Sequence, residues 1–283
     1  MLREPMGTHT IMQKANFTLE DLYAFKLKNL WAYFKSQHFA FKMICCYLFM
    51  EFVRPQSIIP SLDIIPWTKL FIIGALIGSF VDKSVKWASS FANALIIIFT
   101  LTIISATYFT PFFPEVAKQY FMDFFSWVII YFLIINIVNT RERFYVFMLI
   151  FLIAAAKIAI GTSKSWAMRG FSFTTWGLSG PRGFFQNSGE LAILMLTLFP
   201  LAFYLYIALK HQVGRWERWF LLICWVCPIL TILGASSRGS QVALVVQLAF
   251  MFRKSVFKFK PLIGLVVLCT ALFYLLPQEQ KDR

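Results

Sequence analysis

Charged side chains are scarce in this chain. They make up 14% of its 283 residues, and only 13 are acids against 27 Lys and Arg. With 59% hydrophobic residues and a mean hydropathy of +0.69, the composition excludes a soluble globular protein, which is about 45–50% apolar. The apolar runs are continuous and do not alternate, which argues against a β-barrel. The five cysteines lie inside those runs. Cys224 and Cys227 have C-x-x-C spacing, but no helix start or further ligand accompanies them, so they read as buried thiols and not as a redox or zinc site. No metal or cofactor is expected. The first apolar run begins only near Phe39 and lacks a small-residue cleavage site, so a cleavable signal peptide is not expected.

What remains is a polytopic, all-α transmembrane bundle. Nine apolar segments read as spans: Phe39–Val53, Ile64–Val81, Phe91–Thr107, Phe121–Val138, Phe144–Ile160, Leu191–Leu209, Trp219–Leu233, Gln241–Phe252 and Leu262–Leu276. The net charge of +14 follows from where the cations fall. If the N-terminus is cytoplasmic, 17 of the 27 Lys and Arg lie in inner segments, and every inner loop holds at least two. Nucleic acid is therefore not expected as a partner. The organisation expected is a cytoplasmic start over 1–38, a transmembrane domain over 39–276 and the beginning of an outer loop at 277–283. Within the start, Thr18 and Asp21 mark a helix entry. Leu27, Leu30, Trp31 and Phe34 then oppose Lys26, Lys28 and Lys35, as in a helix lying on an anionic leaflet or packed on the protein's own inner loops.

The longest polar interruption is the outer loop 161–190, GTSKSWAMRGFSFTTWGLSGPRGFFQNSGE. It carries Lys164, Arg169 and Arg182, with Glu190 as its only acid, and interleaves them with aromatic residues. Irregular backbone beside apolar helices must satisfy its polar groups at a protein-lined cavity or the water interface. The start Asn187-Ser-Gly-Glu190 would present free helix amides, which favour anions. A second polar turn, Gly234-Ala-Ser-Ser-Arg238-Gly, lies on the same outer side. Arginine suits a diphosphate because its planar fork donates parallel hydrogen bonds. Arg182 and Arg238, joined by Arg54 or Arg169, would thus form an outward-facing clamp for an anionic, lipid-linked phosphate. For Arg169 a plain headgroup contact is as good a reading. Of the other charges within spans, Lys157 reads as snorkelling outward and Asp123 as an acid at a helix N-terminus.

GPRGFFQNSGELAILM, followed roughly 50 residues later by GASSRGSQVAL, resembles the O-antigen ligase and O-antigen polymerase superfamily of bacterial inner-membrane glycosyltransferases. EFVRPQSIIPSL is similar to a subgroup associated with O-glycosylation and exopolysaccharide export. The resemblance implies metal-independent transfer of a glycan from an undecaprenyl-diphosphate carrier to an acceptor hydroxyl on lipid, protein or glycan. Arg182, Arg238 and Glu190 are the candidate catalytic residues. Arg54, Lys164, Arg169 and Asn187 are the candidate binding residues. The family's acceptor base is a histidine in a large outer loop. Here His9, His38 and His211 all fall on the inner side, so the sequence departs from the pattern and is expected to be part of a longer chain. A transporter or flippase for the same lipid-linked sugar, or a noncatalytic membrane partner, are the competing readings.

Overall fold

A computed structural model of the chain describes residues 22, 26–57, 59–109, 113–173, 177–181 and 185–252. All regular structure among them is helical: α1 (Leu27–Ser36), α2 (Phe39–Val53), α3 (Trp67–Val81), α4 (Phe91–Phe109), α5 (Pro114–Ile137), α6 (Arg141–Met168), α7 (Ser188–Leu209), α8 (Arg215–Gly234) and α9 (Arg238–Met251). Helices α4 to α8 are long and apolar enough to cross a membrane, and α3 is a shorter apolar helix. Eight of the nine apolar segments correspond to α2–α9; the ninth, Leu262–Leu276, lies outside the described residues, as do Thr18 and Asp21. The stretch after α2 forms 3₁₀ turns at Pro55–Ser57 and Pro60–Leu62, each opened by a proline whose fixed φ suits a helical turn.

The chain divides into two compact units, and the division falls within α2, at the start of α3 and within α6. The first holds the described residues up to Cys46 and those from Lys69 to Phe147. In it, Gly74 and Gly78 lie one turn apart on α3. A Cβ on Gly78 would sit 2.9 Å from the Ala40 backbone, so glycine lets α2 and α3 approach closely. Helices α4 and α5 pair through Phe99 and Phe124, edge to face at 5.4 Å. At their polar end, Tyr131 donates to Asn93 at 2.9 Å, and the Ala88 amide donates to Asn136 at 2.7 Å.

Arg143 organises the same end. It is 4% exposed and donates to Gln37 Oε1 (2.9 Å), the Ile137 carbonyl (3.0 Å) and Ser84 Oγ (2.9 Å), with Asp82 at 3.9 Å and the Phe41 ring beneath. One guanidinium thus joins the start of α2, the ends of α3 and α5 and the start of α6. Sequence placed Arg143 among the loop cations; it is a buried clamp. Burial alone would raise the Asp82 carboxyl, but hydrogen bonds from Ser84 and the charges of His38 and Arg143 outweigh it and hold the group below its ordinary range. Tyr33 of α1 is buried beside Thr140 and Arg143, whereas Leu27 and Trp31 stay exposed. Helix α1 is therefore packed on its own unit through one face and bare on another.

The second unit holds Tyr47–Thr68 and the described residues from Met148 onward. Its core joins Leu152, Ala155 and Ala159 of α6 to Leu191, Met195 and Phe199 of α7, Ile232 of α8 and Leu244 of α9. Thr162, Ser163 and Thr231 bond hydroxyl to hydroxyl at 2.8 and 3.0 Å between α6 and α8. Pro200 lies inside α7 and lacks the amide that would serve the carbonyl four residues back, that of Leu196. Gln247 of α9 fills the gap, its Nε2 donating to the Leu196 oxygen at 2.9 Å. Lys157 does not snorkel: its ammonium caps the end of α2 at the Val53 carbonyl, 2.9 Å away. Of the cysteines, Cys45 and Cys224 are buried, and Cys46 and Cys227 are half-buried free thiols; Cys269 lies outside the described residues.

Candidate functional site

The polar interruption is shorter than its composition suggests. Helix α6 continues through Gly161–Met168, because the hydroxyls of Thr162 and Ser165 fold back onto carbonyls of their own helix and Ser163 bonds to α8. Lys164 is therefore an exposed residue in the last two turns of a helix, and the connection begins at Arg169. At 28 residues, α6 is about 42 Å long, well beyond a hydrocarbon core of about 30 Å, so one end must stand in the headgroup region or water.

Trp166 pins the connection. It is buried, packs edge to face on Phe171 and Phe173, and donates to the Ser172 carbonyl at 3.2 Å. Further on, the backbone crosses the end of α8. Gly177 takes φ +69°, and any Cβ there would strike the Ala235 carbonyl. The next amide, of Leu178, then donates to the Gly234 carbonyl at 3.2 Å, which serves one of the unsatisfied carbonyls that end α8. Gly180 donates to the Phe185 carbonyl at 2.8 Å. Phe185 stacks on Phe52 with ring centroids 5.7 Å apart. Arg54, two residues beyond Phe52, takes a left-handed φ of 48° as the chain leaves α2.

Two helices start at this end. Asn187 caps α7, its Oδ1 accepting from the Gly189 amide at 2.8 Å, and Glu190 lies in the first turn. Ser236, with φ 55°, turns the chain into α9, whose first residue is Arg238. The bond from Gln247 to Leu196 sets the relative height of the two starts. Arg238 is nine residues before Gln247 and Asn187 nine before Leu196, so each start lies about 13.5 Å from that bond. Helices α7 and α9 thus start at matching distances from that bond, and, apart from the Gly189 amide that Asn187 holds, their first amides, the positive ends of their dipoles, have no partner in their own helix. Lys164, Arg169, Asn187, Glu190 and Arg238 are all exposed there, and Met168 and Phe171 add bare apolar surface beside the cations. This end can receive an anion attached to an apolar chain.

The structure therefore gathers Arg54, Lys164, Arg169, Asn187, Glu190 and Arg238 within one unit. Arg182 lies outside the described residues. Asp123 is not at a helix N-terminus: α5 begins at Pro114, nine residues earlier. No group of three or more His, Cys, Asp and Glu able to hold a metal occurs among the described residues. Sequence reasoning missed Trp166 and Gly177, which hold the connection in place. Trp166 falls on the helical repeat of α6, and that was the available signal.

Comparison with protein-family models, curated proteins and solved structures found no match to this chain. The class is defined by the helices: this is an all-helical, multi-pass membrane protein.

Proposed function

We propose that the second unit grips the diphosphate of a lipid-linked glycan and serves its transfer to an acceptor hydroxyl, as in O-antigen ligases and polymerases. The observation that supports this reading best is that α7 and α9 start at matching distances from the bond that joins them, with Arg238 in the first turn of α9. Free amides and an arginine fork favour the negative charge that develops on a departing diphosphate. Exposed Met168 and Phe171 suit the apolar carrier. On this reading Arg182 joins Arg238 on the diphosphate, and Arg54, Lys164, Arg169 and Asn187 orient it. Glu190 is the acid nearest the reacting end, and a histidine base would come from elsewhere in the protein. The same reading sets the chain in a bacterial inner membrane with nine spans, its N-terminus cytoplasmic and this end outermost.

The test is glycan attachment in cells carrying Arg238→Ala or Arg182→Ala, with protein level in the membrane measured alongside. The expected result is loss of attachment at normal protein level, with carrier-linked glycan accumulating on the outer leaflet. Attachment at the wild-type level in both variants overturns the reading. Accumulation confined to the inner leaflet would instead assign the chain to transport.

A further inference from the structure

Helices α4, α5 and α6 are long enough to cross a membrane, and each has an end near Arg143, so this end of the first unit stands at a membrane boundary. Polar side chains there hold the connection between α3 and α4. The Ser84 amide donates to Asp82 Oδ1 at 2.8 Å, and Asn139 Nδ2 donates to the Ser84 carbonyl at 2.6 Å. Asn93 Nδ2 donates to the Ala88 carbonyl at 2.5 Å, and Trp87 stacks on Phe132 with ring centroids 5.2 Å apart. Tyr33 and Gln37 anchor α1 at the same end.

These fixed segments present cations. Lys28, Lys35, Lys83, Lys86 and Arg141 are all exposed, and among the described residues none of them forms an ion pair. Lys35 lies over the Trp31 ring, 5.2 Å from its centroid. The acids described at this end are Asp82, which is buried, and Glu142, which is half-buried, so the exposed charge is of one sign. Trp31 and Trp87 are bare beside the cations, 58% and 66% exposed, and Phe91 opens α4 at 78%. Exposed Trp next to Lys and Arg at the end of a bundle suits the level where headgroups meet acyl chains.

Charge selects the occupant. The second unit, residues 47–68 and 148–283, holds fifteen Lys and Arg against six acids, so it brings more positive charge and not the complement. A second copy would set the same cations against themselves. Residues 1–25 carry Glu4, Glu20 and Asp21 against Arg3 and Lys14, one net negative charge for five exposed cations. We propose that this end of the first unit docks on the anionic phospholipid headgroups of its leaflet. The ammonium groups and the Arg141 fork meet headgroup phosphates, and Trp31 and Trp87 rest against the upper acyl chains. Because the connection and α1 are pinned, the cations are placed before lipid arrives. The surface is independent of the glycan-binding reading, which concerns the other unit.

Two measurements test it. The full chain is purified from mixed micelles that hold equal amounts of phosphatidylglycerol and phosphatidylcholine, and the lipid that stays bound is counted. The wild type should retain at least about threefold more phosphatidylglycerol than phosphatidylcholine. Changing Lys28, Lys35, Lys83, Lys86 and Arg141 together to Gln should cut that ratio at least about twofold. Lys69→Gln with Lys118→Gln, at the other ends of α3 and α5, should leave it unchanged. A wild-type ratio near one, or a ratio that survives the five changes, overturns the proposal. The second measurement reads the place. In phosphatidylcholine nanodiscs carrying a minor share of acyl-brominated phosphatidylglycerol, the fluorescence lost in Trp31→Phe with Trp87→Phe reports those two rings. Brominated phosphatidylglycerol should quench that difference at least about twofold more than the same share of brominated phosphatidylcholine. Equal quenching, or none because a segment of protein covers the rings, overturns it as well.

Discussion

Replacing Gln247 by leucine should destabilise the second unit by an amount that Pro200 controls. The Leu196 carbonyl has no helical amide partner, because Pro200 occupies the donor position, and Gln247 supplies the hydrogen bond at 2.9 Å. Leucine removes that bond and leaves a carbonyl without a partner beside the core, at a cost of about 1–3 kcal/mol. One term offsets it: Gln247 Oε1 is buried without a hydrogen bond, and the substitution removes that atom. Side-chain bonds within membrane bundles also average only about 0.6 kcal/mol. The expected net loss is about 1–2 kcal/mol. In Pro200→Ala the helix serves Leu196 itself, so Gln247→Leu should there cost less than about 0.5 kcal/mol. Unfolding in mixed micelles with rising dodecyl sulfate, followed by circular dichroism, gives all four corners of the cycle. An equal cost in both backgrounds would show that Gln247 does not stand in for the missing amide.

Arg143→Ala should cost the first unit about 1–3 kcal/mol, since Gln37 and the Ile137 carbonyl lose their donor and Asp82 loses one of its cationic neighbours; Arg143→Met with Asp82→Asn should recover part of this in the same unfolding assay. The depressed Asp82 carboxyl adds stability that is complete above the ordinary carboxylate range near about 4 and is lost as pH falls through the native value, so a pH series should show a decline that Asp82→Asn lacks. Gly177→Ala should dislodge the connection from the end of α8 and raise proteolysis near residues 169–187, while Gly170→Ala, which meets no neighbour, should cost only the strain of its positive φ. Lys157→Met should weaken the end of α2 by about 0.5–1 kcal/mol, measured by hydrogen exchange at the amides that follow Val53.

Hydrophobic runs made the helices legible. Phe39–Val53 was read with the bounds of α2, and α7 differs only by the turn that Asn187 caps. Composition misled where polar side chains serve a helix instead of ending it. Gly161, Thr162, Ser163 and Lys164 look like loop, yet the hydroxyls of Thr162 and Ser163 bond to helix carbonyls and α6 runs on to Met168. Charge counting treated all basic residues as solvated, so it could not separate Arg143, which is buried, from Arg141, which is exposed. Sequence grouped Lys164, Arg169 and Arg238, and the structure describes all three in one unit. The matching starts of α7 and α9 were not legible, since they depend on a bond between residues 51 positions apart.

The Arg143 clamp also orders events during synthesis. Gln37, Ser84 and Ile137 emerge before the side chain that joins them, and Gln37 precedes it by 106 residues. At about 5–20 residues per second, ribosomes leave that first acceptor waiting on the order of 5–20 s. Helices already inserted must stay loosely associated until α6 begins to appear, so a nascent chain halted before Arg143 carries an open bundle for quality-control proteases to find.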